Sequence, residues 1–258
     1  MQVTRTEWRD NPKPLPYGRM AMAIGDVHGC AEHLEAMYQA LAEDVRRLRP
    51  NETTCVLLGD LVDRGPNSLD CLGLAVDGLS AFTRGAAVED IILLGNHDAW
   101  LKKAAERRLS GEDARVWAYN GGDTTFSSLG IPSLSDPKEL STAVREKLPS
   151  EVLDLLDKML LNHRIGDLLF VHAGVDPRHP LDDQSEHACL WIRDAFLNAK
   201  DWPFEVLVIH GHTVDPPLGP PEVFPHRVGI DTGAFATGVL TAVEFLGASM
   251  RFVAVDSR

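Results

Sequence analysis

The amino-acid sequence predicts an α/β fold with a largely parallel central sheet, and two observations in its first half support this. Apolar runs that end at glycine recur at residues 20–25, 53–59 and 90–95, as is typical of buried strands. Between them lie two segments with apolar residues at helical spacing. Strands that alternate with helices pair in parallel, because each helix returns the chain to the same end of the sheet. Two further apolar runs, 167–174 and 204–211, predict additional strands.

The two helices are predicted from apolar residues that recur at three- and four-residue steps, so that one face of each helix packs against the sheet. Residues 99–160 are also rich in helix-forming residues. We expect them to form a helical insertion over the functional site, and not an independent domain. The two apolar sets are Leu34, Met37, Tyr38, Leu41, Val45 and Leu48, and then Leu69, Leu72, Val76 and Leu79.

The two ends of the chain are predicted to differ from the middle. Residues 1–19 carry prolines at positions 12, 14 and 16, which exclude a helix and favour an extended N-terminal arm. The domain would then span residues 20–258. Residues 227–255 contain β-branched runs separated by glycine-rich turns, and this pattern predicts consecutive antiparallel strands.

The composition excludes several classes of protein. The chain has 258 residues, 44% of them hydrophobic and 24% charged, which is typical of a globular domain with a sizeable core. Its net charge of -13 argues against sequence-independent nucleic-acid binding and against an electrostatic membrane anchor. A phosphorylated substrate stays possible, because a metal site can reverse the local field. The four cysteines form no paired motif, and no apolar run is long enough to span a membrane. We expect a monomeric cytoplasmic protein.

Polar side chains capable of binding metal lie at the end of each predicted strand. The stretches are "GDVHG" (25–29), "GDLVDRG" (59–65), "GNHD" (95–98), "VHAG" (171–174) and "HGHT" (210–213). Ligand sites in such sheets lie at the carboxyl ends of the strands, so these side chains should converge. Three oxygen-bearing side chains and three imidazoles can hold two cations if one carboxylate bridges, and two such cations hydrolyse phosphate esters in many enzymes. The six are Asp26, His28, Asp60, Asn96, His172 and His212.

These stretches resemble the phosphoprotein-phosphatase branch of the calcineurin-like metallophosphoesterases. The resemblance extends from about residue 20 to the C-terminus, and later stretches such as "WAYNGGDTT" (117–125), "LWIRD" (190–194) and "IDTGAFATGVLTA" (230–242) are similar to the small bacterial and phage members. It implies a two-sheet αββα sandwich flanked by helices, with two metals at its edge. It also implies a metal-activated water, as hydroxide, that attacks the phosphorus.

The resemblance implies a role for each polar residue. The first metal would be held by Asp26 and His28, and the second by Asn96, His172 and His212, with Asp60 bridging the two. The family also places phosphate-binding and proton-transferring residues around the metals. By this comparison, Arg64 and Arg193 would hold the phosphate, with Asn96 also touching it, while His97 would protonate the leaving oxygen and Asp63 would orient His97.

The residue types suit these roles. Arginine offers paired donors to phosphate and does not lose its charge, and a histidine kept protonated by a carboxylate can protonate a leaving oxygen. Asp98 is interpreted as a cap on the helix that follows it. His210 lies two residues before His212, and the family pattern favours His212 as the ligand. Asn120 is considered as an outer residue of the site.

Three functions compete. The first hypothesis is a serine/threonine protein phosphatase that acts on phosphorylated proteins or peptides. The alternative is a symmetrical bis(5'-nucleosyl)-tetraphosphatase, which splits diadenosine tetraphosphate into two ADP. A metal-binding scaffold without catalysis is a third interpretation, which the presence of both Arg64 and His97 disfavours. For a dinucleotide, adenine could stack on Trp100, Trp117, Tyr119 or Trp202. Mixed oxygen and nitrogen ligands suit manganese, iron or zinc, and the resemblance favours manganese.

Overall fold

The structure is a computed structural model that describes residues 1–132, 136–214, 221 and 223–258. Residues 133–135 of the predicted helical insertion therefore lie outside the described residues. The strands are β1 (Gln2–Arg5), β2 (Arg9–Asp10), β3 (Arg19–Ile24), β4 (Glu52–Leu57), β5 (Glu89–Ile92), β6 (Asn162–Ile165), β7 (Leu168–Val171), β8 (Leu207–His210), β9 (Arg227–Gly229), β10 (Val239–Leu246) and β11 (Ser249–Asp256).

The helices lie mostly between the parallel strands and in the segment that follows β5. Short 3₁₀ turns cover Leu79–Phe82 and Leu181–Asp183, and a wide turn covers Ala118–Gly122. The α-helices are α1 (Ala31–Leu48), α2 (Ser68–Asp77), α3 (Asn96–Ala105), α4 (Gly111–Trp117), α5 (Asp123–Ser128), α6 (Pro137–Lys147), α7 (Ser150–Lys158), α8 (Glu186–Trp191), α9 (Asp194–Leu197) and α10 (Ala234–Thr237).

The strands form two sheets in the described part of the chain. The larger has the order β1-β11-β10-β3-β4-β5, with β2 also paired to β11, and the smaller has the order β6-β7-β8-β9. Strands β3, β4 and β5 are parallel, with Ile24 beside Leu57 and Leu57 beside Ile92. Strands β7, β8 and β9 are also parallel. The carboxyl ends of six strands are thus available to build one site.

Alternate residues of the strands face different layers. In β3, Met20 and Met22 pack on the helices, whereas Ala21 and Ala23 pack in the core between the two sheets. In β7, Phe170 faces the other sheet, and the residues beside it pack against the segment of α8 and α9. Because side chains alternate along a strand, each sheet is covered on both faces. The fold is therefore the predicted α/β arrangement of two stacked sheets flanked by helices.

The first helix follows the prediction closely, and the second does not in one respect. In α1 the five residues Leu34 to Val45 of the predicted set are buried. In α2 the predicted Leu72 is buried, but the predicted Val76 is 38% exposed, and Cys71 and Ala75, outside the predicted set, are buried. Helix α2 ends at Asp77, so Leu79 of the predicted set lies in the following 3₁₀ turn. The buried face of the helix itself therefore differs from the predicted one.

The ends of the chain also depart from simple patterns. Residues of β1 pair antiparallel with β11, so part of the predicted arm extends the larger sheet. The prediction of consecutive antiparallel strands holds for β10 and β11 and is wrong for β9, which pairs in parallel with β8 in the other sheet. Among the described residues, no helix has both the length and the apolar character needed to cross a membrane.

Candidate dinuclear metal centre

The predicted ligands converge because each follows the carboxyl end of a strand. Asp26 follows β3, Asp60 follows β4, and Asn96 begins α3 just after β5. His172 and His212 follow β7 and β8 of the smaller sheet. All five side chains are buried. The site therefore lies where the two sheets meet, at one edge of the sandwich.

Asp60 lies at the middle of this group. Its Oδ2 is 3.4 Å from His28 Nε2 and 3.5 Å from His172 Nε2, while its Oδ1 accepts a hydrogen bond of 2.9 Å from the backbone N–H of His97. A Cβ at Gly95 would lie 2.2 Å from Asp60 Oδ1, so only glycine fits there. One carboxylate oxygen thus faces both groups of imidazoles, as a bridging ligand would.

Backbone carbonyls fix the orientation of two imidazoles. His28 Nδ1 donates to the carbonyl of Val62 at 2.8 Å, and His172 Nδ1 donates to that of Leu58 at 2.9 Å. The Nε2 atom of each ring then carries a lone pair and faces Asp60. Metal-binding histidines typically donate their other ring N–H to a carbonyl or carboxylate in this way.

The second group consists of acceptor atoms at short distances from one another. Asn96 Oδ1 is 3.0 Å from His172 Nε2, which is 3.2 Å from His212 Nδ1. Asp60, His172 and His212 form one set with metal-ligand spacing, and His28, Asp60 and His97 form another. Such oxygen and nitrogen donors suit a divalent transition metal. The residues present therefore fit two cations.

Asp26 is held against the backbone that carries His212. Both of its carboxylate oxygens accept from the His212 N–H at 3.1 Å. A Cβ at Gly211 would lie 2.0 Å from Asp26 Oδ1, so the glycine permits this close approach. His212, unlike His210, faces the group. His210 is fully buried with its ring 5.1 Å from that of Phe196.

The backbone around the site adopts unusual conformations. In the described chain, eight residues other than glycine have positive φ, and five of them belong to this site. Such conformations are costly and cluster where function requires a fixed geometry. The five are His28, Asp60, Asp63, Arg64 and His212.

Burial sets the protonation of the ligands. It lowers the pKa of His28 to about 3 and that of His212 to about 2, so both imidazoles are neutral and can donate lone pairs. Burial opposes ionisation of Asp60, but the surrounding imidazoles hold its pKa below the ordinary value. Burial, together with the charges of Asp231 and Asp60, raises the pKa of Asp26 well above the ordinary value. A cation at the site would reverse that shift, because it favours the ionised carboxylate.

His97 and Asp63 form a supported pair beside the metal ligands. His97 Nδ1 donates to Asp63 Oδ2 at 2.6 Å, and Trp117 Nε1 donates to the same oxygen at 2.7 Å. Thr125 Oγ1 donates to Asp63 Oδ1 at 2.5 Å. Burial lowers the pKa of His97, but Asp60 and Asp63 outweigh it and raise that pKa above its ordinary value. The ring can thus hold a proton near the metal ligands.

The two predicted phosphate-binding arginines lie at the rim and are exposed. Arg64 Nη1 donates to His28 Nε2 at 2.9 Å, and Arg64 Nη2 donates to His97 Nε2 at 3.2 Å. Arg193 Nη1 donates to Thr213 Oγ1 at 2.9 Å, one residue after His212. Both side chains can therefore reach an anion bound over the two groups of ligands.

Asp98 caps α3, as predicted. Its Oδ2 accepts from the backbone N–H of Gly95 at 3.1 Å, and its Oδ1 accepts from that of Leu61 at 3.0 Å. It thereby joins the "GNHD" and "GDLVDRG" loops. The side chain of Asn120, in contrast, donates to the carbonyl of Val116 at 2.7 Å, within its own turn.

Sequence reasoning missed several residues that shape the site. Trp117 and Thr125 support Asp63, although only the stretch that contains them signalled a connection to the site. Asp231, in the "IDTG" stretch, is buried near Asp26 and Asp60, and this burial raises its pKa to about 6. Trp191 was missed because nothing in the sequence distinguishes it from a core residue of α8.

The predicted adenine-stacking residues do not behave alike. Trp117 is fully buried with its N–H bound to Asp63, and Trp100 is 4% exposed, so both are part of the core. Trp202 packs against the rings of Phe204 and His226. Of the four, Tyr119 alone has an exposed ring.

Comparison with known proteins identifies the family. The profile of the calcineurin-like phosphoesterases matches residues 21–224. The asymmetrical bis(5'-nucleosyl)-tetraphosphatase PrpE of Bacillus velezensis is 27% identical over 86% of this chain and 87% of that protein. A symmetrical bis(5'-nucleosyl)-tetraphosphatase of Chromohalobacter salexigens is 33% identical, over 64% of this chain and 48% of its own length.

Solved structures share the fold at lower sequence identity. A crystal structure provisionally described as a diadenosine tetraphosphatase has a TM-score of 0.58 and 22% identity, covering 95% of this chain and 97% of that one. A variant of a cold-active protein tyrosine phosphatase has a TM-score of 0.53 and 16% identity, covering 90% and 78%. With the family profile matched over most of its length and with these ligands at its strand ends, the chain belongs to the calcineurin-like phosphoesterase family.

Proposed function

We propose that this chain is a dinuclear metal-dependent hydrolase that cleaves dinucleoside tetraphosphates. The observation that carries the proposal is the position of Asp60 Oδ2, which faces His28 Nε2 at 3.4 Å and His172 Nε2 at 3.5 Å. A carboxylate between two sets of neutral donors suits two cations that share a ligand. The tetraphosphate substrate is supported by relatives of similar length that carry that name.

The six buried side chains divide into two sets by position. Manganese is the cation that we expect to support activity best, with iron or zinc as alternatives of similar ligand preference. When bound, the two cations would polarise the phosphoryl oxygens and lower the pKa of a water between them. We assign Asp26 and His28 to the first cation, Asp60 to both, and Asn96, His172 and His212 to the second.

The arginines would bind the phosphate that is attacked. Arg64 and Arg193 are exposed guanidinium groups on either side of the ligands, and each offers paired donors to phosphoryl oxygens. Asn96, whose Oδ1 lies 3.0 Å from His172 Nε2, would place its amide near the same oxygens. Their charge would stabilise the negative charge that spreads over the equatorial oxygens in the transition state.

His97 would donate the proton. A P–O bond to the leaving group breaks as the water oxygen bonds to phosphorus, and His97 Nε2 delivers its proton to the departing oxygen. Asp63 keeps the ring oriented through the 2.6 Å hydrogen bond to Nδ1. Arg64 now donates to His97 Nε2 and its charge lowers the pKa of that ring. A substrate phosphate that draws Arg64 away would therefore favour the protonated acid.

The serine/threonine phosphatase hypothesis and the dinucleotide hypothesis require the same centre. The comparisons favour the dinucleotide, because relatives that cover nearly the whole chain are named as tetraphosphatases. Both an asymmetrical and a symmetrical cleavage occur among these names. The position of the attacked phosphorus relative to the two nucleosides decides between them.

A competition assay tests the proposal. Diadenosine tetraphosphate and a peptide with phosphoserine and phosphothreonine are offered together in manganese buffer, and the products are separated by chromatography. ADP alone from the dinucleotide identifies symmetrical cleavage, and AMP with ATP identifies asymmetrical cleavage. Release of inorganic phosphate from the peptide with the dinucleotide intact would overturn the proposal and restore the protein phosphatase hypothesis.

Two further expectations belong to this proposal. Metal analysis of the purified protein should find two divalent cations per chain, and sedimentation should find the monomer that the sequence predicts. We also expect the protein to act in the cytoplasm, as the sequence predicts. Dialysis against a chelator should remove activity, and manganese should restore it more fully than zinc.

A further inference from the structure

We propose that Trp191 is the platform on which one nucleobase of the substrate stacks. The inference rests on the proposed function and names the base-recognition residue of the same site. The side chain of Trp191 is 36% exposed, which is unusual for a tryptophan whose neighbours in the chain are buried. Its neighbours in α8, Cys189 and Leu190, are buried. One side of the helix therefore packs in the core, while the Trp191 ring is exposed.

The ring of Trp191 borders the metal ligands. It meets the ring of His212 edge-on, with centroids 6.0 Å apart, and the ring of Trp100 at 5.3 Å. Trp100 in turn contacts His97 at 5.0 Å. Successive ring contacts through Trp100 and Trp191 therefore connect the proposed acid with His212 of the second set of ligands.

These contacts hold the ring in place before any ligand binds. Both are edge contacts, with interplanar angles of 84° to His212 and 63° to Trp100. Such contacts fix the orientation of a ring, and 36% of the Trp191 surface stays exposed for a base. An immobilised aromatic surface loses little conformational entropy on stacking, so it binds a base more tightly than a free side chain would.

Arg193 adds the charge that a nucleotide needs. It lies two residues after Trp191 and is held by Thr213, which follows His212 in the chain. One short segment thus supplies an aromatic face and a guanidinium next to the same metal ligand. This pairing fits a nucleoside phosphate, with its base on Trp191 and its phosphate toward Arg193.

Other exposed aromatic residues near the site are less suited. Phe235 carries the guanidinium of Arg64 over its ring at 4.9 Å, so that face is already used. Tyr119 is 92% exposed, so its ring would have to be ordered on binding. Trp191 combines exposure with fixed orientation.

The test measures how much the base contributes to binding. Calorimetry compares α,β-methylene-ADP with methylenediphosphonate, which has the same bridging group without the nucleoside, on the manganese-loaded protein. Trp191→Leu keeps an apolar side chain but removes the aromatic face, and Trp191→Phe keeps an aromatic face. Tyr17→Leu, at a residue that is 98% exposed on the N-terminal segment, is the matched control.

We expect Trp191→Leu to weaken binding of α,β-methylene-ADP by roughly tenfold to a hundredfold, as for other base-stacking side chains. Binding of methylenediphosphonate should be unchanged. Trp191→Phe should recover most of the loss, and Tyr17→Leu should match the unmodified protein. Equal losses for both ligands, or none for either, would overturn the inference.

Hydrolysis of diadenosine tetraphosphate is measured on the same proteins to separate this inference from the proposed function. If the unmodified protein leaves the dinucleotide intact but Trp191→Leu loses the preference for the nucleoside, the proposed substrate fails and the base platform stands. If the dinucleotide is hydrolysed and the preference survives in Trp191→Leu, the proposed function stands and the platform fails.

Discussion

Two buried groups of charged side chains in this protein differ in what neutralises their carboxylates. In the first, Asp44 and Glu244 are almost fully buried and are paired with arginines. Arg251 donates to Glu244 at 2.6 Å and lies 2.9 Å from Asp44, and Arg5 donates to Asp44 at 2.7 Å. Each carboxylate therefore has a cationic side chain beside it.

In the candidate metal centre the carboxylates have imidazoles beside them instead. Asp60 Oδ2 faces two Nε2 atoms whose rings donate elsewhere through Nδ1. The Nε2 atoms of these neutral rings and the carboxylate oxygens are all acceptors, and acceptors in contact repel one another without a cation. The comparison separates charges that hold the fold together from charges arranged to bind a metal.

The largest effect should follow from replacing Asp60. In Asp60→Asn the bridging carboxylate loses its charge, so both cations should bind weakly. Because the cations supply several kcal/mol of transition-state stabilisation, we expect turnover to fall by about 10³-fold or more. Metal content is measured by elemental analysis together with turnover. Retention of two cations per chain in this variant would contradict the bridging role.

Replacing His97 should separate chemistry from metal binding. His97→Ala should leave the metal content unchanged and lower turnover of an alkyl phosphomonoester by about 10²–10⁴-fold. The loss should be smaller for diadenosine tetraphosphate, whose leaving group is a phosphate oxygen and needs a proton less than an alkoxide does. The exposed His187 provides the control His187→Ala. Equal turnover in His97→Ala and the control would show that another group is the acid.

Replacing Asp44 should have the opposite outcome to replacing Asp60. Asp44→Asn removes the carboxylate charge that Arg5 and Arg251 share in the core, and loss of one member of a buried ion pair costs about 3–5 kcal/mol of unfolding free energy. Metal content and turnover at 25 °C should be unchanged. Glu43→Gln, on the same helix but exposed, should change the unfolding free energy by less than about 1 kcal/mol. Loss of metal in Asp44→Asn would erase the distinction between the two groups.

The sequence could predict the parts of this site that depend on local pattern. Apolar runs followed by Gly and a polar residue placed Asp26, Asp60 and Asn96 at strand ends, and the structure brings them together. Strand β9 was assigned to the wrong partner because two β-branched runs separated by turns do not reveal which sheet each one joins. The core stripe of α2 was wrong at Val76 for a related reason, since the helix is too short for the spacing to be decisive.

Contacts between distant segments could not be read from the sequence. Trp117 and Trp191 have the same residue type, and one is buried with its N–H on Asp63 while the other faces outward beside His212. The difference arises from how α4 and α8 pack, which composition does not encode. The cluster of Asp44, Glu244 and the arginines was likewise invisible, because its members come from opposite ends of the chain.

The smallest effect concerns Asp63, which combines features of both groups. It lies beside the metal ligands, yet hydrogen bonds from His97, Trp117 and Thr125 satisfy its oxygens. Burial alone would lower the pKa of His97, and the charges of Asp60 and Asp63 raise it. The acid is active below that pKa, so activity should decline as pH rises through it.

In Asp63→Asn the raising charge is removed, the pKa of His97 falls, and the alkaline decline should move to lower pH. Turnover at neutral pH should drop by roughly tenfold to a hundredfold, because less of the ring is protonated and its orientation is weaker. Thr125→Val removes a hydrogen bond to Asp63 and keeps the charge, so its pH profile should shift much less. If the pH profiles of activity in Asp63→Asn and Thr125→Val matched, Asp63 would only position the His97 ring. Its charge would then stabilise the structure, as that of Asp44 does, and would not set the pKa of His97.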